Sequence, residues 1–274
     1  MKKVLLAFDG TNFSEGAFEF ARKLNETEPI LLTGVFLPQA DYAGLWVYGD
    51  GIGVPVLSPL INDAEEDEEI AANIEKFSQR CITNGIDFRI HKSLFDFAVP
   101  QLVSETRFAD LLILGSEVFY KSFEHGPSDK LNEALRKTEC PVIIVPEKFD
   151  FPENIILTYD GNDSSVFAIK QFSYLFPEMC SNNAILVYMT TDESREMPEQ
   201  QNIEELAARH FSNLELSTIN ASPKKYFTAW LRDKKNVLVV AGSYGHSGFA
   251  DMFSKSFVAD VITEHRLPIF IWHK

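Results

Sequence analysis

The chain repeats itself, and this repeat constrains its fold more than any other feature. Lys3 to Asn12 reads KVLLAFDGTN and Asn154 to Asp163 reads NIILTYDGND: an apolar run, an Asp-Gly pair, then polar residues. Ala109 to Ser116 (ADLLILGS) is matched by Asn236 to Ser243 (NVLVVAGS), and CPVIIVP from Cys140 by LPIFIWH from Leu267. Asp9 thus corresponds to Asp160, Gly115 to Gly242 and Pro141 to Pro268. The first anchor is offset by 151 residues and the other two by 127, so the second copy is 24 residues shorter. The surplus falls in Pro38 to Leu60, a long Gly- and Pro-rich loop carrying Tyr42, Trp46 and Tyr48. Loops of that length are uncommon and often cover a site or an interface.

Between the anchors, β-branched apolar runs alternate with amphipathic stretches. Strands are predicted at 3–8, 30–36, 86–91, 110–114 and 142–145, then at 154–159, 184–189, 214–219, 236–241 and 269–272. Helices are predicted near 13–25, 63–84, 95–107 and 128–138, then near 164–176, 199–212, 223–233 and 254–265. Such alternation, with strands apolar on both faces, implies an α/β fold with a mostly parallel sheet covered on both sides. A length of 274 residues suits two domains, residues 1–148 and 149–274. Their junction falls in the polar, Pro-containing stretch Glu147 to Glu153 (EKFDFPE).

Composition narrows the partners. The formal charge is −15, a field that repels phosphate backbones and anionic lipid surfaces, so neither nucleic acid nor membrane is expected as a partner. The acidic run Glu65 to Glu69 reads as a solvated helix start favoured by the helix dipole. Cys81, Cys140 and Cys180 are far apart, with no CxxC and no metal-ligand spacing, which suits a reducing, cytoplasmic compartment and no metal site. The opening MKKVLLAF is interrupted at Asp9 and reads as a strand rather than a signal peptide. No run approaches the roughly 18 apolar residues of a membrane span.

Ligands of parallel α/β sheets bind at the carboxyl ends of the strands, where both Asp-Gly turns fall, followed by the N-cap candidates Ser14 and Ser164. The richest stretch is GSYGHSGFADMFSKSF from Gly242. Gly242, Gly245 and Gly248 surround Ser243 and Ser247 ahead of a helix, a composition that lets backbone amides approach a phosphate. It is neither a Walker A loop nor a Rossmann fingerprint. Nor is there a nucleophile elbow, since Gly245-His246-Ser247-Gly248 lacks that spacing. Of the six histidines only His246 lies in this loop, and no catalytic residue is assigned. Phe13, Phe18 and Phe20 recur at helical spacing and read as core.

In its repeated Asp-Gly turn, its GSYGHSGF loop and its closing CPVIIV and LPIFIW strands, the chain resembles the universal stress protein family along its whole length, twice over. The nucleotide-binding branch of that family has Gly, two residues, Gly, nine residues, then Gly-Ser or Gly-Thr. Gly242 and Gly245 take the first two places, and Lys255-Ser256 the last pair. The resemblance implies two flavodoxin-like, adenine-nucleotide-hydrolase-like domains, each a five-stranded parallel sheet of order 3-2-1-4-5 with helices on both faces. Their fifth strands are expected to pair as an intramolecular pseudo-dimer, and a homodimer of whole chains is a further expectation.

The resemblance also implies a cytoplasmic stress-response regulator that holds ATP, with Mg²⁺, in its second half. Asp160, Gly161 and Met189 would lie near ribose and adenine, and Gly242, Ser243, Gly245, His246, Lys255 and Ser256 around the phosphates. Lys255 stands at a family glycine: it either reaches a phosphate as a point charge or obstructs the approach that glycine permits. The first-half counterparts are Asp9, Gly10, Val35, Gly115, Ser128 and Asp129. That copy is degenerate: Val118 replaces the second glycine, and Asp129 would repel a phosphate by roughly 4 kcal/mol at ~4 Å and an effective dielectric of 20. The competing expectation is a nucleotide-free scaffold acting on an unknown protein partner, with the Pro38 to Leu60 loop as its surface. A slow ATPase is a third, with no base or metal pair assigned to it.

Overall fold

A computed structural model describes residues 1–9, 12–37, 64–92, 98–116, 137–190, 196–220, 229–231, 234–242 and 267–272. The first half runs β1 (Lys2–Asp9), α1 (Glu15–Thr27), β2 (Ile30–Leu37), α2 (Ala64–Thr83), β3 (Asp87–Lys92), α3 (Ala98–Thr106), β4 (Leu111–Gly115) and β5 (Val142–Val145). The second runs β6 (Asn154–Tyr159), α4 (Asp163–Leu175), a 3-10 turn Met179–Ser181, β7 (Asn183–Thr190), α5 (Gln200–His210), β8 (Asn213–Asn220), β9 (Val237–Gly242) and β10 (Ile269–Trp272). The 3-10 turn carries no sequence signal that separates it from a loop. The helix predicted near 254–265, the Pro38 to Leu60 loop and residues 128–136 of the helix predicted near 128–138 lie outside the described residues; Lys137 is helical. Of the stretch 223–233, Ala229 to Leu231 is helical.

The ten strands form one sheet in the order β3-β2-β1-β4-β5-β10-β9-β6-β7-β8. Neighbours run parallel except at the centre, where β10 meets β5 antiparallel, Phe270 opposite Ile143. Read outward from this seam, the halves mirror one another: 5-4-1-2-3 on one side and 10-9-6-7-8 on the other. The seam strands are short and fully apolar (VIIV and IFIW). Pairing them satisfies two rows of backbone groups that two separate sheets would each leave open as edges.

Successive strand residues feed opposite faces. Val4, Leu6 and Phe8 enter one apolar layer with residues of α1, α2, α4 and α5, whereas Leu5 and Ala7 enter the other with Leu102 of α3 and Leu231. Phe8 stacks on Phe13 and on Phe36, each at 4.8 Å between ring centres, and Phe77 of α2 meets Phe8, Phe18 and Phe36 edge-on. Each such pair adds about 0.5–1.5 kcal/mol beyond area burial. In the second half Phe172 is surrounded by Phe176, Phe211 and Phe270.

Helix α1 shows how the local sequence sets an element. Ser14 caps it, its Oγ accepting from the Ala17 amide at 3.2 Å. Ala17, Phe18, Ala21 and Leu24 then recur on the buried face, and Pro29 holds Glu28 extended so that the helix stops. The junction departs from the polar reading of EKFDFPE. Phe149 and Phe151 pack on Phe20 at 5.8 and 5.4 Å, and Glu147 Oε2 accepts the Gly16 amide at 3.1 Å. Asp150 and Glu153 are exposed around this apolar anchor, whereas Glu147 is engaged with α1.

Candidate functional site

The described candidate residues of the second half gather where β6, β7 and β9 end. Asp160 follows β6 directly, Met189 lies one place beyond Tyr188, the partner of Tyr159 across the β6–β7 pair, and Gly242 closes β9 beside β6. Parallel pairing brings these three strand ends to one edge, and α4 starts there.

Asp160 is engaged by its own turn. Its Oδ1 accepts the Asn162 backbone amide at 3.0 Å and its Oδ2 accepts Asn162 Nδ2 at 2.9 Å. The Ser165 hydroxyl lies 2.8 Å from both Asp160 Oδ1 and the Asn162 carbonyl oxygen. The carboxylate therefore organises an Asx-type turn into the helix. Gly161, at φ +83°, supplies the left-handed step that this turn needs and a side chain resists.

The expected cap Ser164 is not the N-cap: α4 starts earlier, at Asp163, and Asn162 takes the capping place. Asn is as good a capping residue as Ser. Its amide group is turned to Asp160 instead of the helix amides, so the choice was settled by the Asp160 network. Asn162 and Ser165 are the residues that sequence reasoning missed; the signal was the Asn two places after an Asp.

Gly242 has a reason to be glycine that involves no ligand. A β-carbon on it would collide with the backbone of Ser164 and Ser165 at the start of α4. Gly115 does the same in the first half, where a β-carbon would collide with the Ser14 side chain. The glycine ending the fourth strand of each half is thus set by how closely that strand passes the first helix.

Met189 and Val35, expected beside an adenine, are 5% and 0% exposed and belong to the apolar layer shared with α3 and Leu231. Asp9 ends β1, but its side chain lies outside the described residues. So do Gly10, Val118, Ser128 and Asp129 in the first half, and Ser243, Gly245, His246, Lys255 and Ser256 in the second.

A further group covers the Asp160–Gly161 turn. The Tyr159 hydroxyl, on a ring 2% exposed, donates to the Pro198 carbonyl at 2.9 Å. Pro198 Cβ and Cγ stand 2.9 and 3.0 Å from where a β-carbon on Gly161 would be. Burial first, then the charges of Glu199 and Asp160, pushes the Tyr159 phenol above its usual range. Its proton therefore stays in place for this hydrogen bond.

Among the described residues no group of three metal-ligating side chains gathers. The three cysteines are buried and unpaired, and burial pushes each thiol up to about 12. Among the described residues no helix is long and apolar enough to cross a membrane.

No family model and no curated protein sequence matches the chain, whereas solved structures do. A universal stress protein from Archaeoglobus fulgidus DSM 4304 superposes with a TM-score of 0.66 at 14% identity, covering 100% of this chain and 96% of that one. A functionally unknown protein from Pseudomonas aeruginosa PAO1 gives 0.60 at 11% identity, over 99% and 92%. A protein described as a universal stress protein, from Pseudomonas aeruginosa UCBPP-PA14, gives 0.56 at 11% identity, over 99% and 93%. Over its whole length, then, the chain has the fold of the universal stress proteins.

Proposed function

We propose that the chain is a universal-stress-type regulatory protein of the cytoplasm, built from domains 1–148 and 149–274, whose second half holds ATP or a related adenine nucleotide with Mg²⁺. The observation that supports this is the convergence of Asp160, Gly161 and Gly242 on one strand edge at the start of α4. Open α/β sheets take their ligands at such an edge. Ser243, Gly245, His246, Lys255 and Ser256 follow Gly242 in the sequence and would supply the phosphate contacts. Calorimetric titration with ATP and Mg²⁺, alongside Ser256→Ala, tests it. Saturable binding at one site per chain, weakened by the substitution, is the expected result. No heat up to millimolar ATP, which bounds binding below roughly 4 kcal/mol, would sink it.

A second reading has its own observation. Gly242 and Asp160 are both accounted for by packing and turn formation, and Gly115 serves packing alike in the half with the degenerate loop. These features favour a nucleotide-free scaffold that presents its surface to a protein partner. The same titration separates the two readings.

A further inference from the structure

The segment Glu196 to Glu199 leads from β7 into α5 and is not an idle connection. Met197 is 7% exposed and seated in the apolar layer of α4 and α5. Pro198 next to it presses on Gly161, as described, while its carbonyl receives the Tyr159 hydroxyl. Glu199 adopts φ +45°, a left-handed conformation that costs a residue with a side chain about 1 kcal/mol or more and must be held by its surroundings. Its carbonyl accepts the amides of Asn202 at 2.9 Å and Ile203 at 3.1 Å, and its carboxylate accepts Asn202 Nδ2 at 3.2 Å. The segment is therefore fastened at both ends of a short span: by Tyr159 and Gly161 to the turn carrying Asp160, and by Glu199 to the first turn of α5.

We propose that Met197 to Glu199 form a strap over the Asp160–Gly161 turn, that the Tyr159 hydroxyl is its latch, and that a nucleotide reaching this strand edge enters with the strap displaced. This rests on the nucleotide reading given above and adds to it the control of access. Pro198 already fills the space beside Gly161, so a group approaching Asp160 from that side and the proline ring exclude one another. The latch is a single part-buried hydrogen bond from a neutral phenol, strong enough to favour the closed arrangement and weak enough to open without unfolding β6.

Two variants of the full chain test it. Tyr159→Phe removes the latch and keeps the ring. Pro198→Ala keeps the latch, whose acceptor is a backbone carbonyl, and removes the rest of the ring that fills the space beside Gly161. Amide hydrogen exchange at Asn202 and Ile203 reads the strap without any ligand, and stopped-flow mixing with a fluorescent N-methylanthraniloyl ATP reads access. Both variants should exchange faster at those amides, and both should raise the association rate roughly three- to tenfold. Unchanged exchange in Tyr159→Phe overturns the latch. Faster exchange with an unchanged association rate, in protein that still binds, overturns control of access. Faster exchange with no nucleotide bound by any form upholds the latch and sinks the nucleotide reading.

Discussion

Gly242 lies against Ser164 with no space between them for a β-carbon. The end of β9 thus passes directly against the backbone at the start of α4. The same arrangement recurs at Gly115 and Ser14, which makes it a property of the repeated unit.

Gly242→Ala and Gly115→Ala should each destabilise the protein by about 1–3 kcal/mol, because backbone must yield at position 242 and the capping side chain of Ser14 must yield at position 115. Urea unfolding without ligand is the measurement. Full stability in Gly242→Ala would show that the strand and helix can separate freely and would return this glycine to a ligand-binding role.

Asp160→Ala should cost about 1–3 kcal/mol in the absence of nucleotide, since it strips the Asn162 backbone amide and Nδ2 of their acceptors and leaves the Ser165 hydroxyl only the Asn162 carbonyl. Asp160→Asn retains one acceptor oxygen and should cost less. A pair of variants as stable as the parent would show that the carboxylate is kept for something other than the turn.

Glu147 ties the exit of β5 to the first turn of α1, and Gly16 permits that crossing by having no side chain to strike the Pro146 carbonyl. Gly16→Ala should therefore destabilise more than Glu147→Ala, which loses one half-exposed hydrogen bond worth about 1 kcal/mol. Thermal melts of the two variants decide the order, and the reverse order would show that the carboxylate, not the close crossing, secures the junction.

The buried thiols give a pH dependence. Each is raised from 9.0 to about 12 in the folded chain, so below pH 9 the thiols are protonated in both states and contribute their full share of stability. Between pH 9 and 12 the unfolded chain releases these protons and the folded chain keeps them, so stability falls as pH rises across that window. A thiol reagent at pH 8 should label none of the three in native protein and all three in denaturant. Rapid native labelling would show that the packing around them opens.

Much was legible in the sequence because it rests on local rules. Two-residue alternation, helical spacing and the repeated anchors located every described strand within about a residue, and Ser14 was readable as a cap because its bonding partner is three residues away. The start of α4 was misread because Asn162 and Ser164 are equally good caps by type, and only Asp160's hold on Asn162 separates them. EKFDFPE looked polar because its phenylalanines find Phe20, more than a hundred residues earlier, only after folding.

Taken alone, the sequence determined the repeat, the α/β class, the glycines and carboxylates at the strand ends, and a charge unsuited to nucleic acid. The tertiary structure alone decided what those residues do. It turned Gly242 toward Ser164, engaged Asp160 in its own turn, and set Pro198, for which the sequence holds no signal, over Gly161. The physical reason is that a residue type declares what it can bond or pack with, whereas the partner it meets depends on which distant strands and helices share an edge, and no local pattern encodes that.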